Sequence, residues 1–135
     1  RKVLINSILN GNIDVVCSDH APQNIENKAC EFQSASYGMI GIQTLYSLLN
    51  TKLKGKISSE VLVEKLAINP RNILGMELPE IEVGKPANLT FFDPTIEWEY
   101  NTKNNLSKSE NSPFLGEKFT GKVVGVVNNG EVIVG

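Results

Sequence analysis

The hydrophobic positions of this chain change their period from one stretch to the next. Over Arg1 to Asn10, Val3, Leu4, Ile8 and Leu9 recur at roughly helical spacing, and Gly11 stands where a glycine closes a helix. Val15, Val16 and Cys17, inside the run 13–18, then form a short apolar segment that predicts a strand buried on both faces, the kind found in parallel sheets. Helix, tight turn and buried strand make half of a βαβ unit, so the expected fold class is α/β with parallel strands. Pro22 to Ser36 is polar and irregular and reads as an ordered loop. Tyr37-Gly38 leads into a mostly apolar helix over about Met39 to Asn50, with Ile40, Leu45, Leu48 and Leu49 on its buried side. Lys52 to Lys56 is a solvated link. Ser58 predicts an N-cap with Glu60 in the first turn of a helix that runs to about Ala67. Asn69-Pro70 predicts another short helix, with Asn as cap and Gly75 closing it.

After Met76 the pattern shifts from helical to alternating, which predicts a boundary between residues 1–76 and 77–135. Ala87 to Phe92 reads as a strand that ends at Asp93-Pro94. Ile96-Glu97-Trp98-Glu99-Tyr100 alternates apolar with acidic, as a half-exposed strand should. Lys122 to Val127 and Glu131 to Val134 flank Asn129-Gly130, the strongest short-range hairpin signal. Residues 77–135 are therefore expected to be all β.

Composition narrows the classes. The formal charge of −2 and pI near 5.4 supply no basic footprint for nucleic acid or an anionic membrane. No apolar run approaches transmembrane length, and no signal-peptide pattern opens the chain. Cys17 and Cys30 have different settings and do not resemble a disulfide framework, which favours a reducing cytoplasm. The first residue is Arg1 rather than a methionine, which suggests sequence upstream.

The chemistry concentrates where the 13–18 run ends, in Ser18-Asp19-His20-Ala21-Pro22-Gln23. In α/β folds the carboxyl ends of buried strands carry the reacting groups, so Asp19 is a candidate metal ligand or general base. An Asp-His before Pro can equally cap a turn. Gly38 has two readings as well: the start of the following helix would present N–H groups to an anion, or the glycine only permits a close turn.

These residues also carry a resemblance. Ser18 to Gln23, followed by Glu26-Asn27-Lys28, Phe32, Ala35-Ser36-Tyr37-Gly38 and Gly41, is similar in order and spacing to the last barrel strand and loop of dihydroorotases, in the cyclic amidohydrolase group. Asn69-Pro70 through Gly75, and Gly84-Lys85-Pro86-Ala87-Asn88-Leu89 with Phe92-Asp93-Pro94, resemble the carboxyl-terminal region of amidohydrolases. Asn111-Ser112-Pro113-Phe114-Leu115-Gly116 with Gly121-Lys122-Val123 resembles the dihydroorotase tail.

The resemblance implies a (β/α)₈ barrel with a small composite β-sandwich. A full barrel takes roughly 250 residues, so the chain is expected to be a carboxyl-terminal piece: the end of the barrel in 1–76 and sandwich strands in 77–135. It implies reversible, zinc-dependent hydrolysis of the cyclic amide of dihydroorotate to N-carbamoyl-aspartate in pyrimidine synthesis, with one or two zinc ions and most ligands upstream. It implies a cytoplasmic enzyme, homodimeric at full length and inactive as this piece alone. Asp19 would sit on the zinc centre and move the proton between the attacking water and the departing ring nitrogen. Gln23, Tyr37 and Gly38 would touch the substrate, the last two through backbone N–H groups. Gln23 departs from the pattern, because dihydroorotases of this type usually carry a histidine there. For His20 a packed, hydrogen-bonded role is expected, and Cys17 and Trp98 read as core residues. The alternatives are a related hydrolase of hydantoins, dihydropyrimidines or allantoin, and a non-catalytic scaffold paralogue.

Overall fold

The computed structural model describes residues 2–135. The first helix, α1, is Lys2–Leu9; of the expected Arg1 to Asn10, Asn10 falls in the turn that follows, and Arg1 lies outside the described residues. Gly11 follows it with φ at 75°. Residues 13–19 then run without a sheet, which corrects the expected buried parallel strand. A strand needs at least one other strand as its ladder partner, and here the neighbours are a helical turn and a loop. The Val16 N–H donates to Lys65 O at 3.2 Å, and the one parallel pairing among the described residues is an isolated bridge between His20 and Met39. Val15 and Val16 are half-buried, and Cys17 is exposed rather than a core residue.

The second helix, α2, is Leu45–Lys52, six residues later than the expected start at Met39. Residues 41–44 instead form a tight turn in which Thr44 N–H donates to Gly41 O at 3.2 Å. Ser58 caps α3, Ser59–Val63, as its sequence predicts, accepting from Val61 N–H at 3.5 Å. A wide π turn over Glu64–Ile68 joins it to α4, Asn69–Ile73. Asn69 is therefore no cap: its backbone is helical, at φ −62° and ψ −41°. Its side chain donates instead to Asp14 O (2.9 Å) and to the Glu64 carboxylate (3.2 Å). Pro70 has no N–H for the helical ladder, and a π turn just before it lets the helix pass without a break.

Beyond α4 the described residues form no further helix. Three antiparallel strands, β1 (Leu89–Glu99), β2 (Lys118–Asn128) and β3 (Glu131–Val134), lie in the order β1-β2-β3. Where two strands were expected around Asp93-Pro94, one runs through. The register slips between Asp93 and Glu97, and such a bulge is where a strand tolerates proline. Asp93 Oδ1 accepts from the Thr95 hydroxyl at 2.6 Å and its N–H at 2.7 Å, and these bonds hold the carboxyl below the usual carboxylate range. The hairpin between β2 and β3 turns on Asn129 (φ 50°) and Gly130 (φ 81°), as its sequence predicts.

The core is small: Ile40, Leu53, Leu62, Tyr100 and Phe119 are buried, with Thr44 and Ser47 among them. Trp98 is half-buried, edging Tyr100 and lying 5.6 Å from the Phe119 ring, and its indole donates to Gly121 O at 2.9 Å. Helix α2 docks on β2 through polar bonds as well as apolar contact. Asn50 donates to Thr120 O (2.8 Å) and Pro94 O (3.1 Å), and Thr51 Oγ1 accepts from Thr120 N–H at 2.8 Å. The Asn-rich loop after Tyr100 is ordered by the Gln43 side chain, which donates to Asn104 O at 2.7 Å and accepts from Leu106 N–H at 2.9 Å.

Candidate active site

Two limbs of backbone, 19–23 and 37–42, lie side by side. The Ala21 N–H donates to Met39 O at 2.9 Å. The imidazole of His20 is the second tie: its Nδ1 accepts from the N–H groups of Gly41 (3.1 Å) and Ile42 (3.3 Å). A ring nitrogen that accepts carries no proton, so in the neutral ring the hydrogen is on Nε2. His20 is thus hydrogen-bonded as expected, although exposed rather than packed. The third tie is Gln23, whose Nε2 donates to Tyr37 O at 3.3 Å. Gly38 adopts φ 105°, and a Cβ there would lie 2.5 Å from Ala21 Cβ, so the close approach of the limbs excludes any side chain at this position.

Asp19 opens the first limb with φ at 46°, a left-handed conformation that few non-glycine residues adopt and that costs of order 1 kcal/mol or more. Its side chain is exposed, and among the described residues its carboxylate receives no hydrogen bond. An Asp that caps a turn would spend its oxygens on nearby N–H groups. Here the residue is exposed and its oxygens take no such bond from the described residues.

The chain between the limbs folds back on itself. A short turn at Ile25–Asn27 is closed by the Ser36 N–H donating to Asn27 O at 2.9 Å. The Lys28 ammonium donates to Ser36 O at 2.8 Å and Gly38 O at 3.1 Å. A residue from the far end of the chain then binds both limbs. Asn111 Nδ2 donates to Ala21 O (3.1 Å) and Gly38 O (3.3 Å), while its Oδ1 accepts from Gln23 N–H at 3.2 Å. Its carbonyl also accepts from Ile40 N–H at 3.2 Å. An open hollow of about 1220 Å³ lies here, with Gln23, Lys28, Gly38 and Asn111 among its walls. Asp19 and Tyr37 do not line it; Tyr37 is almost wholly exposed, at 95%. The structure therefore joins Gln23, Tyr37 and Gly38 directly, and links Asp19 to them through its neighbour His20. Asn111 and Lys28 have no role that local sequence could disclose, since their partners are distant or purely backbone.

A profile of the amidohydrolase family matches residues 1–133. This chain belongs to the amidohydrolase family. It is 42% identical to the dihydroorotase of Aquifex aeolicus over 135 residues, covering 98% of this chain and 32% of that protein. It is 38% identical to the dihydroorotase of Chlorobaculum tepidum over 136 residues, covering 99% of this chain and 31% of that one. The chain thus spans about a third of the length of the curated relatives it matches. Among solved structures it superposes on a D-hydantoinase from a Bacillus species with a TM-score of 0.87 at 26% identity, over 98% of this chain and 31% of the other. No helix among the described residues is long and apolar enough to cross a membrane.

A zinc centre takes three or four nitrogen, sulfur or oxygen ligands. Among the described residues no three His, Cys, Asp or Glu side chains converge. Asp19 suits such a centre as a single oxygen donor, exposed and with its oxygens uncommitted.

Proposed function

We propose that this chain is the carboxyl-terminal part of a metal-dependent cyclic amidohydrolase of the dihydroorotase kind. In this reading residues 1–76 are the end of a (β/α)₈ barrel with its closing helices, the extended segment 13–19 standing where the last barrel strand would pair with strands that this chain does not span, and 77–135 are strands of a composite β-sandwich. The substrate is a small cyclic amide, dihydroorotate, opened reversibly to N-carbamoyl-aspartate. The observation that carries the reading is Asp19: an exposed carboxylate on a strained, left-handed backbone, in a chain about 40% identical to dihydroorotases along nearly its whole length.

Asp19 would be one ligand to zinc, the others lying in the part of the relatives that this chain does not span. When bound, the metal supplies a water of lowered pKa and polarises the amide carbonyl. The Asp19 carboxylate then takes the proton from the attacking water and hands it to the departing ring nitrogen, acting first as base and then as acid. Gln23 holds the substrate through its side-chain amide, and the turn at Tyr37-Gly38 does so through its N–H groups. The tie between Gln23 and Tyr37 makes these contacts a single unit.

A second reading, a hydrolase of hydantoins or dihydropyrimidines, is favoured by the superposition on the Bacillus D-hydantoinase. Steady-state kinetics of the full-length zinc-loaded protein with dihydroorotate, dihydrouracil and a 5-substituted hydantoin separate the two. The expected outcome is a kcat/KM at least tenfold higher for dihydroorotate. Preference for the hydantoin would replace this reading with the second, and no turnover of any of them would leave a scaffold.

A further inference from the structure

We propose that Asn111 is a positioning residue for the substrate loop: a carboxamide delivered from the far end of the chain that sets the spacing of the two limbs bearing Gln23, Tyr37 and Gly38. This rests on the reading of the site given above. The bonding of Asn111 is unusually complete. A side-chain amide offers two N–H donors and one carbonyl oxygen. Both donors are used, on Ala21 O (3.1 Å) and Gly38 O (3.3 Å), and the oxygen takes Gln23 N–H at 3.2 Å.

The partners are two residues of one limb and one of the other, so the amide measures the gap between them. The separation along the chain is 88 residues to Gln23 and 90 to Ala21, so none of this is local turn chemistry. Lys28 supports the same point, since its ammonium shares Gly38 O with Asn111. Two donors on one carbonyl, one of them charged, hold the 38–39 peptide in a fixed orientation. Without Asn111 the first limb keeps its bond to Met39 O, while Gln23 loses the anchor on its N–H. The Gln23 side chain is then free to leave Tyr37 O, and the substrate contacts no longer form one rigid set.

A residue that only stabilised the fold would lower the amount of active enzyme and leave KM alone. A positioning residue moves KM while the folded protein still binds metal. The test uses the full-length zinc-loaded enzyme and two variants. Asn111→Ala removes all three side-chain bonds. Asn111→Asp keeps the acceptor for Gln23 N–H and sets a negative charge against the carbonyls of Ala21 and Gly38. Two measurements are made: KM and kcat for dihydroorotate, and hydrogen exchange at the Gln23 and Ile40 amides.

In Asn111→Ala the Gln23 amide should exchange at least tenfold faster. The Ile40 amide, bonded to the Asn111 main chain, should stay protected. KM should rise on the order of tenfold, with kcat per zinc-loaded site changed less than threefold. Asn111→Asp should keep Gln23 N–H protected and still raise KM. Unchanged exchange at Gln23 would show that Asn111 does not hold the limb, and faster exchange with an unchanged KM would reduce it to a structural tie. Either result overturns the proposal. If the wild-type enzyme does not turn over dihydroorotate, it is the functional reading that fails. The exchange arm then still decides whether Asn111 holds the loop.

Discussion

The side chain of Asn50 lies across Gly121 so closely that a Cβ at 121 would sit 2.6 Å from Asn50 Nδ2. Gly121 also has φ 95°, which a side chain resists. Asn50 uses the same nitrogen to bind Pro94 O and Thr120 O, so this pair is where the helical half of the chain is fastened to the sheet. Gly121→Ala should destabilise the protein by about 2–4 kcal/mol, from backbone strain and broken bonds together. Adding Asn50→Ala should recover part of that loss, because the clash disappears. Urea midpoints of the two single variants and the double variant check this; strictly additive losses would contradict it.

Strain and chemistry at Asp19 separate by substitution. Asn tolerates the left-handed backbone nearly as well as Asp, whereas Ala does not. Asp19→Asn should therefore change stability by less than roughly 0.5 kcal/mol, and Asp19→Ala should cost about 1 kcal/mol. Both should lower kcat of the full-length enzyme on the order of 10²–10⁴-fold, since neither can carry the proton. Near-normal turnover in either variant would move the proton transfer to another group.

Gln23→His restores the residue that the dihydroorotase resemblance implies. A neutral amide contributes roughly 0.5–1.5 kcal/mol through one hydrogen bond, against roughly 1.5–3 kcal/mol for a bond to a charged group. The protonated imidazole should lower KM for the anionic substrate by up to about tenfold near pH 6, and the gain should fade as pH rises past the histidine pKa. Kinetics from pH 6 to 9 give the measurement. A KM equal to wild type at every pH would remove Gln23 from the substrate contacts.

Glu64 should shape the acid side of the stability curve. Its carboxylate accepts from the Lys65 ammonium at 3.0 Å and from Asn69 at 3.2 Å, and the Lys65 bond foremost holds its pKa below the ordinary value. A depressed folded-state pKa contributes stability that is present above the unfolded value and is lost as pH falls through the folded one. Protonation also leaves Lys65, only 4% exposed, without its counter-charge. Glu64→Gln should therefore flatten the fall in urea midpoint between about pH 5 and pH 3. A wild-type slope in the variant would place the acid sensitivity elsewhere.

What is legible in the sequence is whatever is decided by neighbours. Ser58 caps its helix and Asn129-Gly130 turns its hairpin because both effects act within four residues. The alternation around Trp98 survives because one face of β1 meets the aromatic cluster. Residues 13–18 fail as a strand because strand identity depends on partners, and an apolar run cannot name them. The segment after Gly38 has helical composition, yet two of its N–H groups go to His20 and the helix begins only at Leu45. Asn69-Pro70 has the composition of a helix start, but a preceding π turn makes it an interior. Asp19 was legible as a chemical candidate, while its backbone strain was not. Asn111 could be quoted within a motif, but the Ala21 carbonyl that it binds lies 90 residues away.

That distance sets an order of events during synthesis. A ribosome adds roughly 5–20 residues per second, so the 88 residues between Gln23 and Asn111 take about 4–18 s to appear. Until then Gln23 N–H has no Asn111 oxygen to bind, and the loop at the candidate site waits on residues translated well after it. A nascent chain stalled before Asn111 would hold its helices but lack the ties of Asn111 to that loop, so the loop would become protected from proteases later than the helices.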